Sequence, residues 1–152
     1  MYAVIRIRGH PGTRKKIENI LKLLRLNRVN SCVILPENPS YQGMIKKVYD
    51  FVAYGKINRE TLIELLKKRL RLKNGRRVDE ALLKNITGFD TFENFADALL
   101  NGNISLKNYE QLQPFFRLTP PSGGHKSIKQ HYPKGSLGNW GENINELIKR
   151  MI

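Results

Sequence analysis

The sequence predicts an α/β protein: a two-layer β-α-β-α-β core with a small, mainly antiparallel three-stranded sheet, plus a helical extension and a long basic loop. Three observations predict it. Apolar residues switch between period two and period 3.6 over residues 1–57, as alternating strands and helices require. From 58 to 113 the period is helical alone. From 114 to 141 it dissolves into a proline-, glycine- and cation-rich stretch, and a last helical stripe fills 142–152. These boundaries are the expected division into core, extension, loop and C-terminal helix.

Tyr2 to Arg8 splits by parity, with Ala3, Ile5 and Ile7 on one face and Tyr2, Val4, Arg6 and Arg8 on the other. Pro11-Gly12 marks a turn, and Thr13 is the expected N-cap of the first helix. Ile17, Ile20, Leu21 and Leu24 form its inward stripe. Ser31 to Leu35 is apolar at consecutive positions, the pattern of a strand covered on both faces, and Pro36 ends it. Asn38-Pro39 signals a second helix, carrying Tyr41, Met44, Ile45 and Val48 inward and Gly43 in its interior. Phe51 to Tyr54 is the third strand, closed by Gly55. Asn58, Asp79 and Thr91 then open three helices, the last two stopped by Gly88 and Gly102. Ile144, Leu147, Ile148 and Met151 mark the final one.

Charge is the informative part of the composition. The 152 residues hold 27 Lys plus Arg against 13 Asp plus Glu, a net charge of +14, and 40% are hydrophobic. A chain this small with that excess repels itself unless an anionic partner neutralises it, and nucleic acid leads over anionic membrane. The single cysteine, Cys32, excludes an internal disulfide. Apolar runs are too short for a membrane span or signal segment, so a cytoplasmic, non-membrane protein is expected.

No catalytic residue, metal site or cofactor is expected, and no small-molecule substrate. His10, His125 and His131 are scattered, and a lone cysteine offers no metal spacing. Cys32 among apolar residues reads as core. Asp90, Glu93 and Asp97 read as the solvated face opposite Phe92 and Phe95 rather than a carboxylate site. Gly123-Gly124 lacks the spacing of a dinucleotide fingerprint.

The cations are clustered. Arg14, Lys15 and Lys16 stand at a helix start, where they oppose the helix dipole but flank free backbone N–H groups suited to phosphate. Arg6 and Arg8 share a strand face that extends this surface, Arg25 and Arg28 follow the helix end, and Lys46 and Lys47 flank the second helix. Lys67, Lys68, Arg69, Arg71, Lys73, Arg76 and Arg77 fall within eleven positions without an acid. In the 114–140 stretch, Arg117, Lys126, Lys129 and Lys134 alternate with Phe115, Phe116, Tyr132 and Trp140, a composition suited to stacking on unpaired bases.

Residues 25–44, from Arg25 through Arg28-Val29-Asn30, the apolar strand, Pro36 and Pro39 to Gly43-Met44, resemble the signature of the ribosomal protein L-thirty family of the large subunit (L-seven in eukaryotes). Tyr2 to Gly9 is similar to that family's first strand and Val52 to Gly55 to its third. Phe116-Arg117-Leu118, Pro120-Pro121, Gly123-Gly124 and the stripe at 144–151 resemble its extended form, and the lack of a long basic N-terminal arm favours the archaeal version. The resemblance implies a structural role in the large subunit, contact with large-subunit rRNA, proximity to 5S rRNA and neighbouring ribosomal proteins. By position it implies that Arg6, Arg8, Arg14, Arg28, Asn30, Tyr41, Gln42 and Lys46 face RNA. Ser31 stands where the family often has histidine, and Gln42 where it often has arginine, so Gln42 brings a hydrogen bond but no charge.

The expectation is therefore a non-enzymatic RNA-binding protein of the large subunit, whose 114–140 loop is mobile when free and orders on RNA. The rival is a helix-turn-helix-type DNA-binding regulator that grips duplex through 67–77.

Overall fold

The computed structural model describes residues 1–9 and 11–152. Strands β1 (Tyr2–Arg6), β2 (Ser31–Leu35) and β3 (Val52–Lys56) alternate with helices α1 (Lys15–Leu23) and α2 (Pro39–Lys47). Helices α3 (Arg59–Arg69), α4 (Glu80–Thr87) and α5 (Phe92–Leu100) follow, then β4 (Phe116–Arg117), β5 (Gly138–Asn139) and α6 (Ile144–Met151). The expected three strands form the centre of the sheet. β1 lies between β2 and β3, antiparallel to both, with Val4 opposite Val33 and Tyr54.

The 114–140 stretch adds both edges, so the sheet has five strands in the order β4-β2-β1-β3-β5. β4 pairs antiparallel to β2, and β5 runs parallel to β3. A two-residue strand leaves no periodic signal, which is why neither was legible.

The parity of β1 decides the packing. Val4, with Val33 and Val52, buries against Leu21, Leu24 and Leu26 around α1 and Ile45 and Val48 around α2. Ala3, Ile5 and Ile7, with Cys32 and Ala53, bury against α3, α5 and α6. The core's two helices cover one face as expected, and the helical extension covers the other. β2 is consequently enclosed on both sides, as its unbroken apolar run required.

Asn38, Asn58, Asp79 and Thr91 each cap a helix, their side-chain oxygens accepting from the N–H three residues on at 2.9, 2.8, 2.8 and 3.2 Å. Thr13 does not. Its hydroxyl donates to the Gly9 carbonyl, and Arg14 occupies the N-cap without a side-chain cap bond. α1 ends in a left-handed cap: Arg25 has φ +62°, its N–H reaches the Lys22 carbonyl, and the Leu26 N–H reaches back to Leu21.

The C-terminus is tied to the core through Asn145. Its Oδ1 accepts the Asn58 N–H at 2.9 Å and its Nδ2 donates to the carbonyls of Lys56 and Glu142. Gly55 makes this docking possible, because a β-carbon there would collide with the Gly141 carbonyl and with Ile144.

Candidate nucleic-acid interface

The layer formed by α1 and α2 collects one group of the cations expected to meet a polyanion. Arg14, Lys15 and Lys16 are exposed at the start of α1, where the first-turn N–H groups receive no side-chain cap. That end therefore presents three positive charges and donors pointing the same way. Arg25 and Arg28 are exposed beyond the other end of α1. On α2, Gln42, Lys46 and Lys47 are exposed and Tyr41 is half-buried.

The exposed backbone at Gly43 has nothing within 4 Å of the position a β-carbon would take, so a second chain can approach closely. Gln42 and Lys46, with Tyr2, Tyr54 and Asn139, line a groove of about 180 Å³ between α2 and the sheet. Lys107 joins this group, its Nζ 2.9 Å from the Tyr41 hydroxyl and 5.4 Å from the ring centre. It lies 66 positions away, and no local pattern announced it.

Arg6 is a correction. It shares a face with Val4 as parity requires, but the turn after α1 covers that face, and Arg6 is 1% exposed. Its Nη1 donates to the Leu26 carbonyl at 2.7 Å and its Nε to the Arg8 carbonyl at 2.8 Å. Burial pulls its pKa down, partly offset by the Glu18 carboxylate. This arginine braces the fold and does not offer itself to phosphate. Arg8 sits at the rim, its guanidinium 5.1 Å from the Phe51 ring centre. Asn30 adopts φ +69°, and its carbonyl accepts the Leu118 N–H. It joins the core to the segment after β4.

The basic run at 67–77 lies on the α3 side of the sheet, away from α1 and α2. Only Lys67, Lys68 and Arg69 are helical, after which Arg71 and Arg77 form a bridge around a turn at Asn74-Gly75. The segment that a duplex-gripping helix would need thus leaves the helix at Arg69. Its charge is partly answered in space: Lys67 pairs with Glu93 of α5 at 2.8 Å. That contact raises the Lys67 pKa and lowers that of Glu93. Arg59 pairs with Asp97 at 2.6 Å and Lys84 with Asp90 at 3.5 Å, so the three carboxylates Asp90, Glu93 and Asp97 are surface partners of lysine and arginine. Arg69 donates to the Arg117 carbonyl and Arg77 to that of Lys67, while Lys68, Lys73 and Arg76 are exposed.

In the 114–140 stretch, Lys126, Lys129 and Lys134 are exposed, as is Arg117, which lies 5.8 Å from the Phe115 ring centre. Phe116 is fully buried in β4 and Phe115 packs on the α1–α2 core, so neither is available to stack on a base. The aromatics left for that role are Tyr132 and Trp140, whose ring centres lie 4.5 Å apart with the planes tilted by 31°.

The other chemistry-bearing groups fit this picture. Cys32 is fully buried and its thiol is pushed up to about 12 by burial, which suits packing and not nucleophilic attack. His131 stacks on Tyr49 at 4.5 Å and lies 2.9 Å from the Asp50 carboxylate. His10 lies outside the described residues. Among the described residues, no group of three His, Cys, Asp or Glu side chains could hold a metal, and no helix is long and apolar enough to cross a membrane.

Comparison with known proteins points one way. The family model described as ribosomal protein L30p/L7e matches residues 2–52. Over 151 residues the chain is 48% identical to the large ribosomal subunit protein uL30 of Archaeoglobus fulgidus, covering 99% of both chains. It is 43% and 41% identical to the proteins of the same name from Methanocorpusculum labreanum and Methanocella arvoryzae, again across 99% of each chain.

Proposed function

We infer, from the premise that the chain belongs to the ribosomal protein uL30 (L30p/L7e) family, that it is a structural constituent of the large ribosomal subunit and not an enzyme. Its principal partner is large-subunit rRNA, with 5S rRNA close by and other ribosomal proteins as neighbours. The observation that carries the RNA-binding part is placement: Arg14, Lys15, Lys16, Lys46 and Lys47 stand exposed on the same helical layer, that of α1 and α2, in a chain with net charge +14. Three of those cations oppose the dipole of their own helix, an arrangement that stability alone disfavours and a phosphate would reward.

The mechanism is charge neutralisation with shape fit. The folded core holds its cations at fixed spacing against rRNA helices, and each phosphate contact releases condensed counterions. The exposed part of the 114–140 stretch, with Lys126, Lys129 and Lys134, extends the contact beyond the core. Crosslinking within intact ribosomes, followed by sequencing of the attached RNA, tests the reading. Crosslinks from the α1 start and from α2 to large-subunit rRNA are expected. Their absence, with affinity for an rRNA transcript no higher than for random DNA duplex at matched salt, would overturn it.

A further inference from the structure

The 114–140 stretch and α6 enclose a cavity of about 400 Å³, within the range of about 300–1,000 Å³ typical of small-molecule sites. Its walls are held by bonds of their own. The Trp140 indole donates to the Ser136 carbonyl at 2.9 Å, and Asn143 donates to the Tyr132 hydroxyl at 2.7 Å. His125 Nδ1 lies 2.7 Å from the hydroxyl of the buried Ser136. Arg150 fixes the opposite wall by donating to the carbonyls of Ser122 and Gly124.

The lining combines three chemistries. The Tyr132 and Trp140 rings, 4.5 Å apart and tilted by 31°, offer an aromatic wall, Lys126 and Arg150 bring positive charge, and Glu146 is the one carboxylate among the lining residues. A phosphate alone would have no use for the rings and would be repelled by Glu146. A base with an attached phosphate uses all three. Guanine is the RNA base whose Watson–Crick edge offers two adjacent N–H donors to a single carboxylate.

We propose that this cavity captures one unpaired guanosine of RNA, its base against Tyr132 and Trp140, its N1–H and N2–H donating to Glu146, and its phosphate beside Lys126. The proposal rests on the RNA-binding reading above and narrows it to one nucleotide. Glu146 also lies in the first turn of α6, where a carboxylate suits the helix dipole, so the experiment must distinguish recognition from capping.

Trp140 is the single tryptophan of the chain, so its fluorescence reports on this cavity alone. The full-length protein is titrated with the RNA tetramers UUGU, UUAU, UUCU and UUUU. Binding of an rRNA transcript is measured in parallel by filter retention. UUGU should quench Trp140 with at least about fivefold higher affinity than the others, and E146Q should erase that preference while leaving the circular dichroism spectrum unchanged. Transcript binding with no quenching by any tetramer, with equal quenching by all four, or with the preference intact in E146Q would overturn the pocket and leave the RNA-binding reading standing. Failure of the transcript to bind would overturn both.

Discussion

The Arg6 guanidinium donates to the Leu26 carbonyl at 2.7 Å, joining the end of β1 to the turn that closes α1. Leu26 is the residue whose N–H reaches back to Leu21, and both leucines are fully buried. One buried cation thus holds together a strand end and a helix cap. Arg6→Met keeps much of the volume but leaves the Leu26 and Arg8 carbonyls without their donor, a loss of about 2–4 kcal/mol. Urea denaturation should show that loss. The salt dependence of RNA binding, measured well below the unfolding midpoint, should not move, since this guanidinium faces the interior. A variant as stable as the parent would show that the carbonyls find other donors.

Arg25 adopts φ +62° in the cap that Arg6 supports, a position that favours glycine. Keeping an arginine there costs backbone strain and exposes its charge beyond the end of α1. Arg25→Gly should raise stability by about 0.5–1 kcal/mol while weakening RNA binding and lowering its salt slope by about one. A gain in stability with unchanged binding would remove Arg25 from the interface.

At the other end of the same helix the two properties should again separate. Exchanging Arg14, Lys15 and Lys16 for glutamate reverses an unfavourable interaction with the dipole, so the thermal midpoint should hold or rise slightly. RNA affinity should fall at least tenfold at moderate salt, with the slope of log affinity against log salt shallower by about two. Unchanged affinity would take the α1 start out of the interface.

What the sequence made legible is what repeats. The order of the three central strands and two core helices follows from period two and period 3.6, and Asn38, Asn58, Asp79 and Thr91 cap where their side chains predict. Parity also placed Arg6 on the face of Val4, but parity cannot say whether a face is covered at that height, and the Leu26 turn covers it. Phe116 stood among prolines and cations with no strand period around it, yet its pairing with Cys32 on β2 brings it fully into the core. The acid that answers Lys67 comes from α5, and the cation beside Tyr41 comes from 66 residues away. Such pairs are set by how helices settle on the sheet, and nothing local encodes them. The candidate RNA-facing cations at the start of α1 were readable because like charges had accumulated where helix electrostatics resists them, whereas Lys46 and Lys47, in the last turn of α2, suit its dipole and carry no such signal.

The 114–140 stretch is anchored at both ends and largely exposed between its anchors. Its ends are fixed by β4 and β5, and Tyr132, Leu137 and Ser136 make backbone hydrogen bonds to Leu137, Gln130 and Ser127. Lys126, Ile128, Lys129 and Gln130 lie at the surface, Ile128 being 47% exposed. Trypsin acting on the free protein should therefore cut first after Lys126 or Lys129, and assembled subunits should protect both bonds. Equal resistance in the two states would mean that RNA neither orders nor covers this segment.

The same segment should give the protein an acid sensitivity. Burial pushes the His125 imidazole below its ordinary value of 6.5, and the Arg150 charge pushes it the same way. Above about pH 6.5 the ring is neutral in the folded and unfolded chains alike, and its hydrogen bond to Ser136 contributes in full. As pH falls from there toward the depressed folded value, the unfolded chain takes up a proton that the folded one still refuses, so stability declines over that interval. His125→Gln carries no such proton and should flatten the decline, whereas substitution of Lys126 should not. Urea midpoints measured from pH 7.5 down to 5 test this, and parallel curves for wild type and His125→Gln would show that the imidazole is solvated well enough to titrate as it does in the unfolded chain.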